Sequence, residues 1–84
     1  MVLRYILQYL VEHPEAKDTV QGIQRWWLSS ARVERGEDEV QAALDSLVAK
    51  GWITQRYTPL SRVLYGLNQD AFEDIRSFLQ KKSG

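Results

Sequence analysis

The stretch DEVQAALDSLVAKGWITQRYTPLSRVLYGLN, Asp38 to Asn68, decides the fold. Its first half sets Val40, Leu44, Leu47 and Val48 at the three-four spacing of a helix that buries one face. Lys50-Gly51 ends that helix, because glycine adopts the left-handed conformation that closes a C-terminus without a Cβ penalty. The period then changes to two. Ile53 to Tyr57 and Arg62 to Leu67 are rich in β-branched and aromatic residues, which fit strands. The tip between them, Thr58-Pro59-Leu60-Ser61, holds proline where a turn uses a fixed φ. A helix over Glu37 to Lys50 followed by a β-hairpin is the expected result.

Two helical patterns precede this stretch and one follows it. In Val2 to Glu12, the residues Leu3, Ile6, Leu7 and Leu10 share a face. Pro14 stops that helix, since it drives His13 away from helical backbone angles. Asp18 reads as the next N-cap, with Gln21 as its capping-box partner. A second helix is then expected from Thr19 to about Ser29, with Val20, Ile23 and Trp27 inward. Trp26 lies about 100° round from Trp27, so one surface cannot bury both. Ser29 to Gly36 is polar and basic and reads as a loop or a frayed helical extension. Asn68 or Asp70 caps the last helix, with Glu73 completing a box for Asp70. Phe72, Ile75, Phe78 and Leu79 form its apolar stripe, and Lys81 and Lys82 sit where the helix dipole favours cations. The tail over 81–84 is expected to fray.

Composition sets the outer bounds. The chain has 84 residues, which is one domain's worth and a small core. Three Trp, with several Leu, Ile and Phe, must therefore carry most of the stability. There is no Cys, so no disulfide framework and no thiolate metal site is expected. No apolar run is long enough for a bilayer, and the first residues do not read as a signal peptide, so a cytoplasmic location is expected. Formal net charge is zero, whereas proteins that hold nucleic acid through their overall field carry a positive excess.

The segment Val40-Gln-Ala-Ala-Leu-Asp-Ser-Leu-Val-Ala-Lys-Gly-Trp-Ile53 resembles the third helix and first wing strand of winged helix-turn-helix proteins. The recurring pattern there is Leu-x-x-Leu-x-x-x-Gly followed by two apolar residues, here Leu44, Leu47, Gly51, Trp52 and Ile53. The resemblance extends over nearly the whole chain. Ala16-Lys-Asp-Thr-Val-Gln-Gly-Ile-Gln-Arg-Trp-Trp-Leu28 is also similar to a small bacterial winged-helix family of unassigned function. The resemblance implies a mainly α, α+β domain spanning residues 1–84: a three-helix core, a hairpin wing and a C-terminal helix packed back on the first. It implies DNA-binding regulators most often, and protein or RNA binders as well, so fold alone fixes no partner. Two features depart from the pattern. The second and third helices are joined by about eight residues, where a tight helix-turn-helix uses three or four. The third helix is also acidic.

With Val40, Leu44 and Leu47 inward, the third helix turns Asp38, Ala42, Asp45, Ser46 and Ala49 outward. Glu37, Asp38 and Glu39 complement the positive N-terminal end of the helix dipole, which is the simplest reason for them. They still leave no Arg, Lys or Asn in mid-face to read a base edge. The small Ala42, Ser46 and Ala49 surface suits close approach of another helix. The wing is the opposite, with Arg56 and Arg62 and no acid between Gly51 and Asn68. Together with Arg32 and Arg35 these are the candidate phosphate contacts. The plain alternative is an ordinary solvated surface. Leu60 at the tip is expected to be exposed.

Trp27, Trp52 and Tyr65 are expected in the core, and Trp26 is a candidate interface anchor. Tyr5 and Tyr9 lie off the first helix's inner stripe, where the last helix or its copy in a second subunit would pack. His13 is the only histidine and has no partner constellation in sequence, and Ser29 and Ser30 have no base partner. No glycine-rich phosphate loop is present. No catalytic residue, metal, cofactor or small-molecule ligand is expected. The function expected is a non-catalytic regulatory binding module of the bacterial cytoplasm, with a protein partner ahead of DNA. A weak homodimer through the first and last helices, hiding Phe78, is also expected.

Overall fold

Apolar spacing in the first segment becomes helix α1 (Val2–Glu12), which buries Val2, Ile6, Leu7 and Leu10. The computed structural model describes residues 2–29 and 35–81. Among them it forms an α+β domain of four helices and one three-stranded antiparallel sheet. Its radius of gyration is 12.2 Å, matching the roughly 12 Å of a single compact body of this length.

After α1, the backbone N–H of His13 still donates to the Tyr9 carbonyl at 2.8 Å, and the chain turns at Pro14. A two-residue strand, β1 (Lys17–Asp18), follows and pairs antiparallel with Gly66 and Tyr65. Nothing in the apolar pattern signals this strand, because two residues are too few to show a period. It also corrects the cap assignment. Thr19, not Asp18, is the N-cap of α2 (Val20–Gly22), its Oγ1 accepting from the Gly22 N–H at 3.2 Å. The Asp18 carboxylate accepts from the Thr19 N–H at 2.8 Å instead, so no Asp18–Gln21 box forms. That carboxylate lies over Gly22, where any Cβ would overlap it.

The second helix is also not a regular α-helix through to Ser29. α2 runs directly into a π-helical turn, Ile23–Trp27. The Leu28 N–H closes it on the Ile23 carbonyl at 3.1 Å, a five-residue step. In a regular helix Leu28 would lie about 140° from Ile23. The wider turn brings it round, and Ile23, Trp27 and Leu28 are all buried. Trp26 is left outside.

Helix α3 (Glu37–Lys50) buries Val40, Ala43, Leu44 and Leu47. Gly51 closes it at φ +79°, with its own N–H on Leu47 and Val48 and the Trp52 N–H returning to the Leu47 carbonyl at 3.1 Å. The chain then enters the hairpin of β2 (Ile53–Tyr57) and β3 (Val63–Leu67), in register from Ile53 opposite Leu67 to Tyr57 opposite Val63. Arg62 belongs to the turn, not to β3. Sheet order is β1-β3-β2, so β2 is an edge strand.

Asn68 ties the base of the sheet together. Its N–H donates to the Trp52 carbonyl at 3.1 Å, and its side-chain amide to the Gly51 carbonyl at 2.6 Å. Its Oδ1 accepts from the Asp70 N–H at 3.1 Å and so caps a 3-10 turn, Gln69–Ala71. Helix α4 (Phe72–Gln80) starts from that turn with no side-chain cap, so the Asp70–Glu73 box is not formed. The intervening 3-10 turn separates Asp70 from the first α-helical N–H groups. Ile75 is fully buried, while Phe72, Phe78 and Leu79 cover the core edge. The Arg4 guanidinium donates to the Leu79 carbonyl at 3.1 Å, fixing the C-terminal turn of α4 on α1.

The aromatics divide between core and margin. Trp27 and Tyr65 are buried as expected, but Trp52 is only partly so. It stands at the helix-to-strand junction, with the Lys50 ammonium over one face and the Phe78 ring edge-on at 5.4 Å. Tyr9 stacks on Trp27 at 4.8 Å, so α2 rather than α4 occupies that side of α1. No helix among the described residues is long and apolar enough to cross a membrane.

Candidate functional site

Three surfaces collect the candidate residues. The first is the outer face of α3. Asp38, Ala42, Asp45, Ser46 and Ala49 are all exposed, as the helical phase requires. Only Lys50 in the last turn is basic. Gln41, half-buried beside this face, donates to Asp45 Oδ1 at 2.9 Å and to the Tyr65 hydroxyl at 3.0 Å. The face thus presents carboxylates and small side chains, with its one long amide already engaged.

The second surface is the hairpin. All of β2 beyond Ile53 is exposed. Tyr57 is 70% exposed and Leu60 78%. The tip is held by its backbone. The Thr58 N–H donates to the Arg62 carbonyl at 2.8 Å, the Ser61 N–H returns to Thr58 at 3.0 Å, and Ser61 takes a φ of +61°.

Three of the four candidate arginines lie within the described residues. Arg32 lies outside the described residues. Arg35 pairs with Glu39 of α3 at 3.1 Å, an i,i+4 contact, and its carbonyl accepts from Gln24. Arg56 and Arg62 both belong to the hairpin. Strand alternation puts Arg56 with Thr54, Leu64 and Gly66, where it lines an outer hollow with Lys17 and Glu15. Arg62 sits opposite Thr58 at the end of the hairpin, its carbonyl accepting from the Thr58 N–H.

The helical side of the sheet carries the third surface, an open groove of about 620 Å³ between α2, α3 and the hairpin tip. Among the described residues, Thr19, Gln21, Arg25, Gln41, Ser61, Arg62 and Tyr65 supply its polar lining. Sequence reasoning missed Arg25. Its place in the π-helical turn, between inward Ile23 and Trp27, was legible; its position beside the groove needs the tertiary fold.

Trp26 is 66% exposed, in keeping with its candidacy as an anchor. Phe78 lies neither beside Tyr5 or Tyr9 nor in open solvent. It is half-buried between the Trp52 ring and the Arg4 guanidinium, 5.4 Å from its centroid. Tyr5 remains partly exposed near Leu79. His13 is exposed, its ring tilted against Tyr9 at 4.5 Å. No family model, curated protein or solved structure matches this chain.

Proposed function

We propose that the chain is a non-catalytic winged-helix binding module of the bacterial cytoplasm that engages a protein partner. The order of three helices followed by a hairpin supports the fold reading, as does the exposure of β2 beyond Ile53. One observation carries the choice of partner. The exposed large apolar side chains include Trp26, Tyr57 and Leu60, while the outer face of α3 offers acids and small residues instead of base-reading groups. Exposed Trp and Tyr are the residues that partners use as anchors. Carboxylates set against a polyanion oppose binding.

A photo-crosslinking amino acid placed at Trp26, Tyr57 or Leu60 in living cells tests this directly. Covalent adducts with one protein from those positions, and none from Asp74 on α4, are the expected result. Adducts with nucleic acid would reject the protein-binding reading.

DNA binding is the second reading, and one observation favours it. Arg25, Arg56 and Arg62 have no ion-pair partner among the described residues, unlike Arg35 and Arg76. Because phosphate contacts position without reading sequence and α3 offers no base-reading group, such binding would be modest, salt-sensitive and weakly sequence-selective.

A further inference from the structure

We propose that the open edge of β2 takes up an extended segment of the protein partner as a fourth strand, through the main-chain groups of Gln55 and Tyr57. The inference rests on the protein-binding reading and names the mode of contact. Sheet order leaves β2 at an edge, with β3 on its other side. The ladder shows which of its main-chain groups are free. Hydrogen-bonded pairs alternate along an antiparallel ladder. The Thr58 N–H donates to the Arg62 carbonyl, and the Asn68 N–H to the Trp52 carbonyl. With the register between them, Thr54 and Arg56 are the bonded positions inside β2. Ile53, Gln55 and Tyr57 therefore turn their N–H and C=O groups away from β3.

Ile53 is buried, so the edge opens at Gln55. The next outward position after Tyr57 is Pro59, which has no N–H and closes the site. Two N–H and two C=O groups, spaced two residues apart, remain. Only another extended main chain matches that alternation, and adding a strand to an exposed edge is an established mode of peptide recognition. Tyr57 brings a second observation to the same place, because its side chain is 70% exposed beside its own free main-chain groups. Gln55 lies opposite buried Tyr65, so Gln55 and Tyr57 point to the helical side and Arg56 to the outer side. A β-branched residue of the incoming strand, set against Tyr57, forms a stabilising cross-strand pair.

Arg56 decides against a second copy of this chain. Two copies joined through Gln55 and Tyr57 place Arg56 directly opposite its own equivalent, and like charges so placed repel. The other two-fold register, centred on Gln55, needs the buried Ile53. A partner segment with an acidic residue opposite Arg56 meets neither obstacle.

Amide exchange followed by NMR tests the inference. In the free protein the Thr54 and Arg56 amides should exchange slowly, and those of Gln55 and Tyr57 fast. The probe is the peptide Lys-Thr-Val-Glu-Val-Thr-Lys, with a counterpart N-methylated at both valines that keeps every side chain. The first peptide is expected to slow the Gln55 and Tyr57 amides, and the second to bind roughly tenfold more weakly or worse. Gln55→Pro removes an outward N–H and no ladder bond. It should weaken binding roughly tenfold while the Thr54 and Arg56 amides stay slow. Arg56→Glu should weaken it by a few-fold, with recovery when lysine replaces the peptide's glutamate. No binding of the first peptide, equal binding of the two, or saturation that leaves the Gln55 and Tyr57 amides fast would overturn the assignment. So would slow exchange of those amides without peptide in a protein of doubled mass, which would make a second copy the occupant. Peptide binding that depends on Trp26 or Leu60 and ignores Gln55→Pro would reject the edge and leave the protein-binding reading intact.

Discussion

Gly51 and Ser61 both hold positive φ, and only one of them is glycine. At Gly51 the left-handed turn lets its N–H and that of Trp52 close α3. Gly51→Ala keeps open space around the new Cβ but forces an L side chain into that conformation, at roughly 1–2 kcal/mol. Thermal unfolding should show it as a loss of several degrees, since about 1 kcal/mol shifts a domain this size by about 4–8 °C. Ser61 carries the same strain at the hairpin tip. Ser61→Gly relieves it while making the unfolded chain more flexible, for a net gain of roughly 0.5 kcal/mol. A urea midpoint that falls instead of rising would show that the serine side chain contributes more than the strain costs. Asn68 joins helix, sheet and 3-10 turn through one side chain, so Asn68→Ala should cost roughly 1–2 kcal/mol in the same assay.

At the scale of elements, the second helix gives the sharpest test. Its π-helical turn, not regular phase, puts Leu28 in the core and Trp26 outside. Leu28→Ala should therefore cost roughly 2–5 kcal/mol, while Trp26→Ser should stay within about 0.5 kcal/mol. Chemical denaturation of the two variants would expose the error if their order were reversed. Long periodic elements were legible before the structure. The bounds of α1 and α3, the Gly51 cap and the hairpin around Pro59 all follow from spacing and turn chemistry. What was not legible depends on distant residues. β1 exists because Lys17 and Asp18 pair with β3, and the π turn because burial of Leu28 overrides regular helical phase. The 3-10 turn displaced the Asp70 cap for a similar reason, since Asn68 was already fixed by the end of the hairpin. For the candidate site, the exposed face of α3 was readable from phase alone. That Arg25 borders one groove with residues of the hairpin required the tertiary fold.

For the whole molecule, two questions of association are distinct. Self-association through α1 and α4 remains a proposal. With Phe78 edge-on to Trp52 and beneath Arg4, such a contact would have to use Tyr5 and the partly buried Leu79 as well. Sedimentation over a concentration series tests it. Mass rising toward the dimer, and reduced by Tyr5→Glu, supports the contact; a constant monomer mass at high micromolar concentration rejects it. The larger question is what the domain grips. Zero net charge, an acidic α3 and exposed Trp26, Tyr57 and Leu60 argue together for a protein. The most direct check is a low-salt titration of the protein into mixed-sequence duplex DNA, beside the double variant Arg56→Ala with Arg62→Ala. No saturable binding in the micromolar range, with no difference between the two proteins, is the expected result. Micromolar or tighter binding that disappears in the double variant would make this a DNA-binding domain instead.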